Sequence, residues 1–162
     1  MHRILRIAAG LMLLVLPALF IVPHYLRVID RSHQKRTLAD MRTIATAWES
    51  RATDIDSYSV GVRRNSRGRT RAEQRVTTAE LARALEPTYV RNLPRADGWG
   101  TEFQFVTSDE EVAGQAQTYM IRSLGSDRRS DRIANLTGST TNFADDIVYS
   151  SGSFIRYPES AG

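Results

Sequence analysis

The sequence predicts an α+β protein: one long N-terminal helix whose second half lies on a small antiparallel β-sheet. Three observations lead there. Residues 7–22 carry no charge, apolar residues recur at helical spacing through Leu38, Met41, Ile44, Ala45, Trp48 and Ala52, and beyond Pro94 the apolar period drops to two.

The uncharged run IAAGLMLLVLPALFIV is 16 residues long. At about 1.5 Å per helical residue it covers ~24 Å, slightly less than a ~30 Å hydrocarbon core. Ile4, Leu5, Tyr25 and Leu26 lengthen it, with Arg6 and His24 placed to snorkel. Pro17 and Pro23 mark kinks rather than ends. No small-x-small cleavage site follows Val22, so an uncleaved anchor is expected in preference to a signal peptide. Ile7, Leu11, Leu14, Pro17, Phe20 and Pro23 then form the surface that meets lipid or other copies of the chain. Basic residues flank both ends (Arg3 and Arg6; Arg27, Arg31, Lys35 and Arg36), so charge alone does not orient the segment. The chain divides into a hydrophobic helix with a basic flank, 1–36, and a globular domain, 37–162.

Within that domain the amphipathic helix runs to about Thr53. An arginine-rich loop, 61–76, holds Arg63, Arg64, Arg67, Arg69, Arg71 and Arg75 with almost nothing apolar between them, so it is expected to be exposed. Thr77 with Glu80 three residues on is a capping box, opening a short helix over 77–86 that Pro87 stops. Sheet residues follow over 102–157. Glu102-Phe103-Gln104-Phe105-Val106 and Thr118-Tyr119-Met120-Ile121-Arg122 alternate as half-buried strands do. Ile147-Val148-Tyr149 and Ser153-Phe154-Ile155-Arg156-Tyr157 form a second pair around a Ser-Ser-Gly turn. A long polar loop, 125–144, joins the two pairs.

Composition narrows the function. The chain has 162 residues and no cysteine, which excludes disulfides and thiolate metal sites. Its three histidines, His2, His24 and His33, all lie in or beside the hydrophobic segment. A Ser-His-Asp triad or a histidine-ligated zinc site is therefore excluded from the globular part, and no catalytic residue is expected. The net charge is +4 and Lys35 is the only lysine. Arginine's planar fork suits phosphate or acidic partners, which makes the 61–76 loop a candidate surface for an anionic partner. Asp97-Gly98-Trp99-Gly100 reads as a tight structural turn before a strand. Ser123-Leu124-Gly125-Ser126-Asp127, with Asp145-Asp146 returning before the next strand, could gather oxygen ligands for a hard cation such as calcium.

The motifs ADMRTIATAWE, PTYVRNLPRADGWGTEFQF, YMIRSLGSD and ADDIVYSSGSFIRYP, after an anchor helix, resemble in content and order the major pseudopilins of type II secretion systems, within the type IV pilin-like group. The resemblance spans residues 38–158. It implies a helical spine packed on a three- or four-stranded antiparallel sheet, and a non-enzymatic subunit that polymerises through its N-terminal helix. The implied filament is periplasmic and supports protein secretion, alongside other pseudopilins, from a single-pass anchor in the inner membrane. It also implies one Ca2+, held by Asp127 and Asp145 or Asp146, by the Leu124 carbonyl and by Ser130. The pattern departs from the family at its leader: Gly10 is followed by Leu11, and Val15 stands where the family has glutamate. The alternatives are a nucleic-acid-binding pilin-like protein of a DNA uptake apparatus, working through the arginine loop, and an uncleaved membrane-tethered scaffold.

Overall fold

The structure, a computed structural model, describes residues 2–60, 73–109, 116–132 and 137–159, with the side chains of the first helix described from residue 24. Helix α1 is His2–Ile55 and α2 is Thr78–Leu85. The strands are β1 Glu73–Val76, β2 Gln104–Asp109, β3 Ala116–Ser123, β4 Gly138–Thr140, β5 Ile147–Ser150 and β6 Ser153–Pro158. They form one six-stranded sheet in the order β1-β2-β3-β5-β6-β4. The α+β class follows directly from this content.

The sheet differs from the expectation in two ways. It is mixed, not purely antiparallel, because β4 pairs in parallel with β6. It also begins earlier than residue 102: β1 lies inside the segment read as an arginine loop and pairs antiparallel with β2, Val76 opposite Phe105. Both additions are short edge strands held by backbone bonds. β4 likewise sits inside the segment read as an unbroken polar loop.

The chain separates into two compact units, Met1–Ser32 and His33–Gly162. In the first, α1 is helical through Pro17 and Pro23, while the side chains of Ile7, Leu11, Leu14, Pro17, Phe20 and Pro23 lie outside the described residues. Among the described residues no helix is long and apolar enough to cross a membrane. Its last turns expose large apolar side chains: Tyr25 is 64% exposed, Leu26 55% and Val28 54%.

In the second unit, the residues of α1 that recur every three or four positions form the core. Leu38, Met41, Ile44, Ala45, Trp48 and Ala52 are all buried. The 3.6-residue period places them on one stripe, and the sheet meets that stripe with Phe103, Phe105, Tyr119, Ile121 and Ile147. An aromatic row crosses the sheet beneath the helix. Trp48 meets Phe105 edge-on at 6.1 Å and Tyr119 at 5.0 Å, and Tyr149 meets Phe154 edge-on at 4.8 Å. Arg42 lies 5.2 Å over the Phe154 ring and closes the row. The Trp48 indole donates to the Tyr58 carbonyl at 3.1 Å, which fixes the chain as it leaves α1.

Helix α2 starts where its capping box stands. The Thr77 side chain accepts from Glu80 N, and the Glu80 carboxylate accepts from Thr77 N at 2.9 Å. Thr78, Leu81, Ala82 and Leu85 are its buried face.

Candidate functional site

Two loops that sequence singled out are tied to the core by unrelated bonding schemes. The first is the Asp97–Gly100 turn, which is a structural joint. Asp97 is only 2% exposed. One carboxylate oxygen accepts from Trp99 N at 3.0 Å and Thr101 N at 2.8 Å, and the other accepts from the Ser123 hydroxyl at 2.6 Å. Gly98 presses against α1: a Cβ there would stand 2.1 Å from the His33 carbonyl oxygen. Its N–H donates to Thr37 Oγ1 at 2.9 Å, and that hydroxyl donates to the His33 carbonyl at 2.9 Å. Only glycine fits this contact. Trp99 is half-buried, its ring 6.1 Å from His33.

The second is the loop between β3 and β5. Gly125, at φ +66°, brings the turn after β3 against the turn before β5, so that a Cβ would meet the Asp145 carbonyl oxygen at 2.6 Å. Ser126 N donates to the Phe143 carbonyl at 2.9 Å. The two sequence segments read as one site thus do touch. Their carboxylates, however, are committed elsewhere.

Asp146 is fully buried and receives Arg122 Nε at 2.5 Å; Arg122 Nη2 also reaches Asp146 and donates to the Asp131 carbonyl at 2.8 Å. The backbone N–H of Asp131 donates to the Asp146 carboxylate at 3.0 Å, and the N–H of Asp146 donates to the Asp131 carboxylate at 3.1 Å. Asp145 accepts from the Thr140 hydroxyl, from Asn142 at 3.0 Å and from Arg156 Nη2 at 2.5 Å. Asp127 is exposed and accepts from the N–H of Arg129 at 2.9 Å, closing its own turn. Ser130 is exposed and Leu124 half-buried.

Environment drives the two neighbouring aspartates apart. Burial pushes the Asp146 carboxyl above its ordinary value, against the pull of the Asp131 N–H and Arg122. For Asp145 burial acts the same way, but the Thr140 hydroxyl, Arg156 and Asn142 outweigh it and hold the carboxyl low.

This arrangement does not fit a calcium ion. Among the described residues, no group of three or more His, Cys, Asp or Glu is placed to hold a metal. Asp146 Oδ1 is a buried carboxylate oxygen with no partner, yet calcium takes roughly six to eight oxygens. Two guanidinium groups already face Asp145 and Asp146, and would repel a dication there. Sequence reading missed Arg122 and Arg156 because each lies on a strand, outside the acidic motif.

The anionic-partner residues Arg63, Arg64, Arg67, Arg69 and Arg71 lie outside the described residues. Arg75 is exposed on β1, opposite Val106. A groove of about 600 Å³ beside α2 is lined by Thr78, Arg83, Glu86, Arg95 and Glu102 among others. Its charges are mixed in sign, which gives no preference for an anion or a cation. No family model matches the chain, and neither a curated protein nor a solved structure is significantly similar to it.

Proposed function

We propose that this chain is a non-enzymatic, pilin-like structural subunit of the major pseudopilin kind, anchored in the inner membrane with residues 37–162 in the periplasm. It assembles with copies of itself, and with other pseudopilins, into a filament that supports type II secretion. The observation that carries this reading is α1. One helix supplies the core stripe of the globular unit in its second half, and it displays Tyr25, Leu26, Val28 and Ile29 to solvent just after an uncharged run of 16 residues. Apolar side chains left uncovered on a helix call for lipid or another protein surface. The packing of the helix on the sheet, and the motif order over residues 38–158, support the same reading. The reading does not depend on calcium, because Arg122 and Arg156 engage Asp146 and Asp145.

The cysteine-free sequence makes the test direct. Two cysteines in one chain, Leu14→Cys with Phe20→Cys, oxidised in the membranes of a two-membrane bacterium, should give a ladder of cross-linked species, since each copy can then bond to two neighbours. Recovery of the chain as a soluble monomer would refute the proposal. A second reading, an uncleaved membrane-tethered scaffold, is favoured by Leu11 after Gly10 and by Val15 in the glutamate position. Membrane-bound protein without any cross-linked ladder would select it.

A further inference from the structure

We infer that the β3–β5 loop is closed by the protein's own guanidinium groups, Arg122 and Arg156, acting as built-in cations in place of a bound metal. This inference stands on the geometry of the loop and not on the filament reading.

Strand register brings the two arginines together. Arg122 on β3 is opposite Val148 on β5, and Val148 is opposite Arg156 on β6. Cross-strand partners share a sheet face. The β5–β6 register shifts by one residue between Tyr149 and Val148, which moves Arg156 off the helix-facing side of Phe154, so both arginines rise from one face, two strands apart. It is the face away from α1, because Tyr119 and Ile121, which alternate with Met120 and Arg122, belong to the core under the helix. Val148 is buried yet lies outside that core cluster, as expected if the loop covers it.

The acidic pair enters β5 between the two cations. Asp146 turns to Arg122 and Asp145 to Arg156, while Asp131 reaches both sides: its carbonyl accepts from Arg122, and its carboxylate lies 3.8 Å from Arg156. Two positive groups thus face three negative ones, so most of the carboxylate charge is neutralised from within and the oxygens nearest each guanidinium are already occupied. The bonds run from the far end of the loop to strands on either side of β5. That is the cross-linking a multidentate metal would supply, achieved here with planar donor forks suited to carboxylates and carbonyls.

The test uses the full chain in detergent, with thermal unfolding as the readout. Calcium alone at millimolar concentration, compared with a chelator, should leave the melting temperature unchanged. A rise of several degrees with calcium overturns the inference. Arg122→Met and Asp146→Asn should each lower the midpoint by on the order of 10 °C, because breaking a buried pair strands the other partner. The double variant should lose much less than the two losses combined. Additive losses would show that the pair is not coupled, and would also overturn the inference. Should Arg122→Met not fold, the calcium comparison on the unmodified chain still decides.

Discussion

Replacing Gly98 with alanine should be among the most damaging single-methyl additions this domain can suffer. The new Cβ would lie 2.1 Å from the His33 carbonyl oxygen, 2.6 Å from its carbon and 2.7 Å from its Cα, whereas ordinary contact begins at 3.4 Å. All three atoms are helix backbone, so no side chain can swing aside. The turn must retreat from α1 by more than an ångström, and that breaks the 2.9 Å bond from Gly98 N to Thr37 Oγ1. Overpacking costs about 1–3 kcal/mol, and a buried donor left unpaired costs about 1–3 more. The sum, roughly 2–6 kcal/mol, corresponds to a midpoint lower by roughly 8–24 °C at about 4 °C per kcal/mol for a domain of this size. Gly100→Ala in the same turn is the control. Gly100 has φ +80° and open space around it, so alanine there meets only backbone strain of about 1–2 kcal/mol. Thermal melts of the two variants, followed by circular dichroism, should rank Gly98→Ala well below Gly100→Ala. Equal or reversed effects would show that the turn is not pinned to the helix as described.

Other perturbations have defined outcomes. Asp97→Ala removes the acceptor of Trp99 N, Thr101 N and the Ser123 hydroxyl at once, and should cost roughly 3 kcal/mol or more in denaturant titration; a loss below 1 kcal/mol would contradict the joint. Thr77→Ala breaks the capping box of α2 and should cost ~1 kcal/mol, with no change expected in any property of α1. Alkaline stability follows from Tyr119. Burial, then the hydrogen bond it donates to Glu49, raise the phenol far above its ordinary value of 10.0. A raised folded-state value means that stability is fully present below pH 10.0 and is lost as pH climbs from there toward the folded-state value. Tyr58 and Tyr149 are raised as well, burial being the leading cause in both. The unfolding midpoint should therefore be flat from neutral pH to about 10 and then fall. Tyr119→Phe should flatten the fall, and an unchanged slope would remove Tyr119 as its source.

Periodicity made the helix face readable, because burial on α1 depends on side-chain spacing that sequence displays directly. The same holds for β2 and for β3 from Tyr119 onward, where burial alternates. β5 and β6 were legible as a pair around their turn, although Ile147 and Val148 are both buried and the pairing shifts register there. Strands β1 and β4 were not readable. In β1, Gln74 and Arg75 leave Val76 as the one buried apolar side chain, and β4 is Gly-Ser-Thr at an edge. Their pairing rests on backbone bonds that carry no side-chain signature. Around the acidic loop, the touching turns were legible from glycine and aspartate. The role of those aspartates was not, since it is decided by Arg122 and Arg156, 24 and 11 positions away along the chain. A carboxylate announces itself in a motif, but its counter-ion is chosen by sheet register.

The joint formed by Thr37, Gly98, Asp97 and Ser123 has a mechanical meaning. A force drawn along α1 reaches the interior strand β3 through two short hydrogen bonds, Gly98 N to Thr37 and Ser123 to Asp97, without relying on slippery apolar packing. Sliding the helix by one residue would swing the threonine hydroxyl by about 100° and cut that line at once. The helix is thus keyed to its sheet as a shaft is to a wheel, and torque or tension on one is felt by the other.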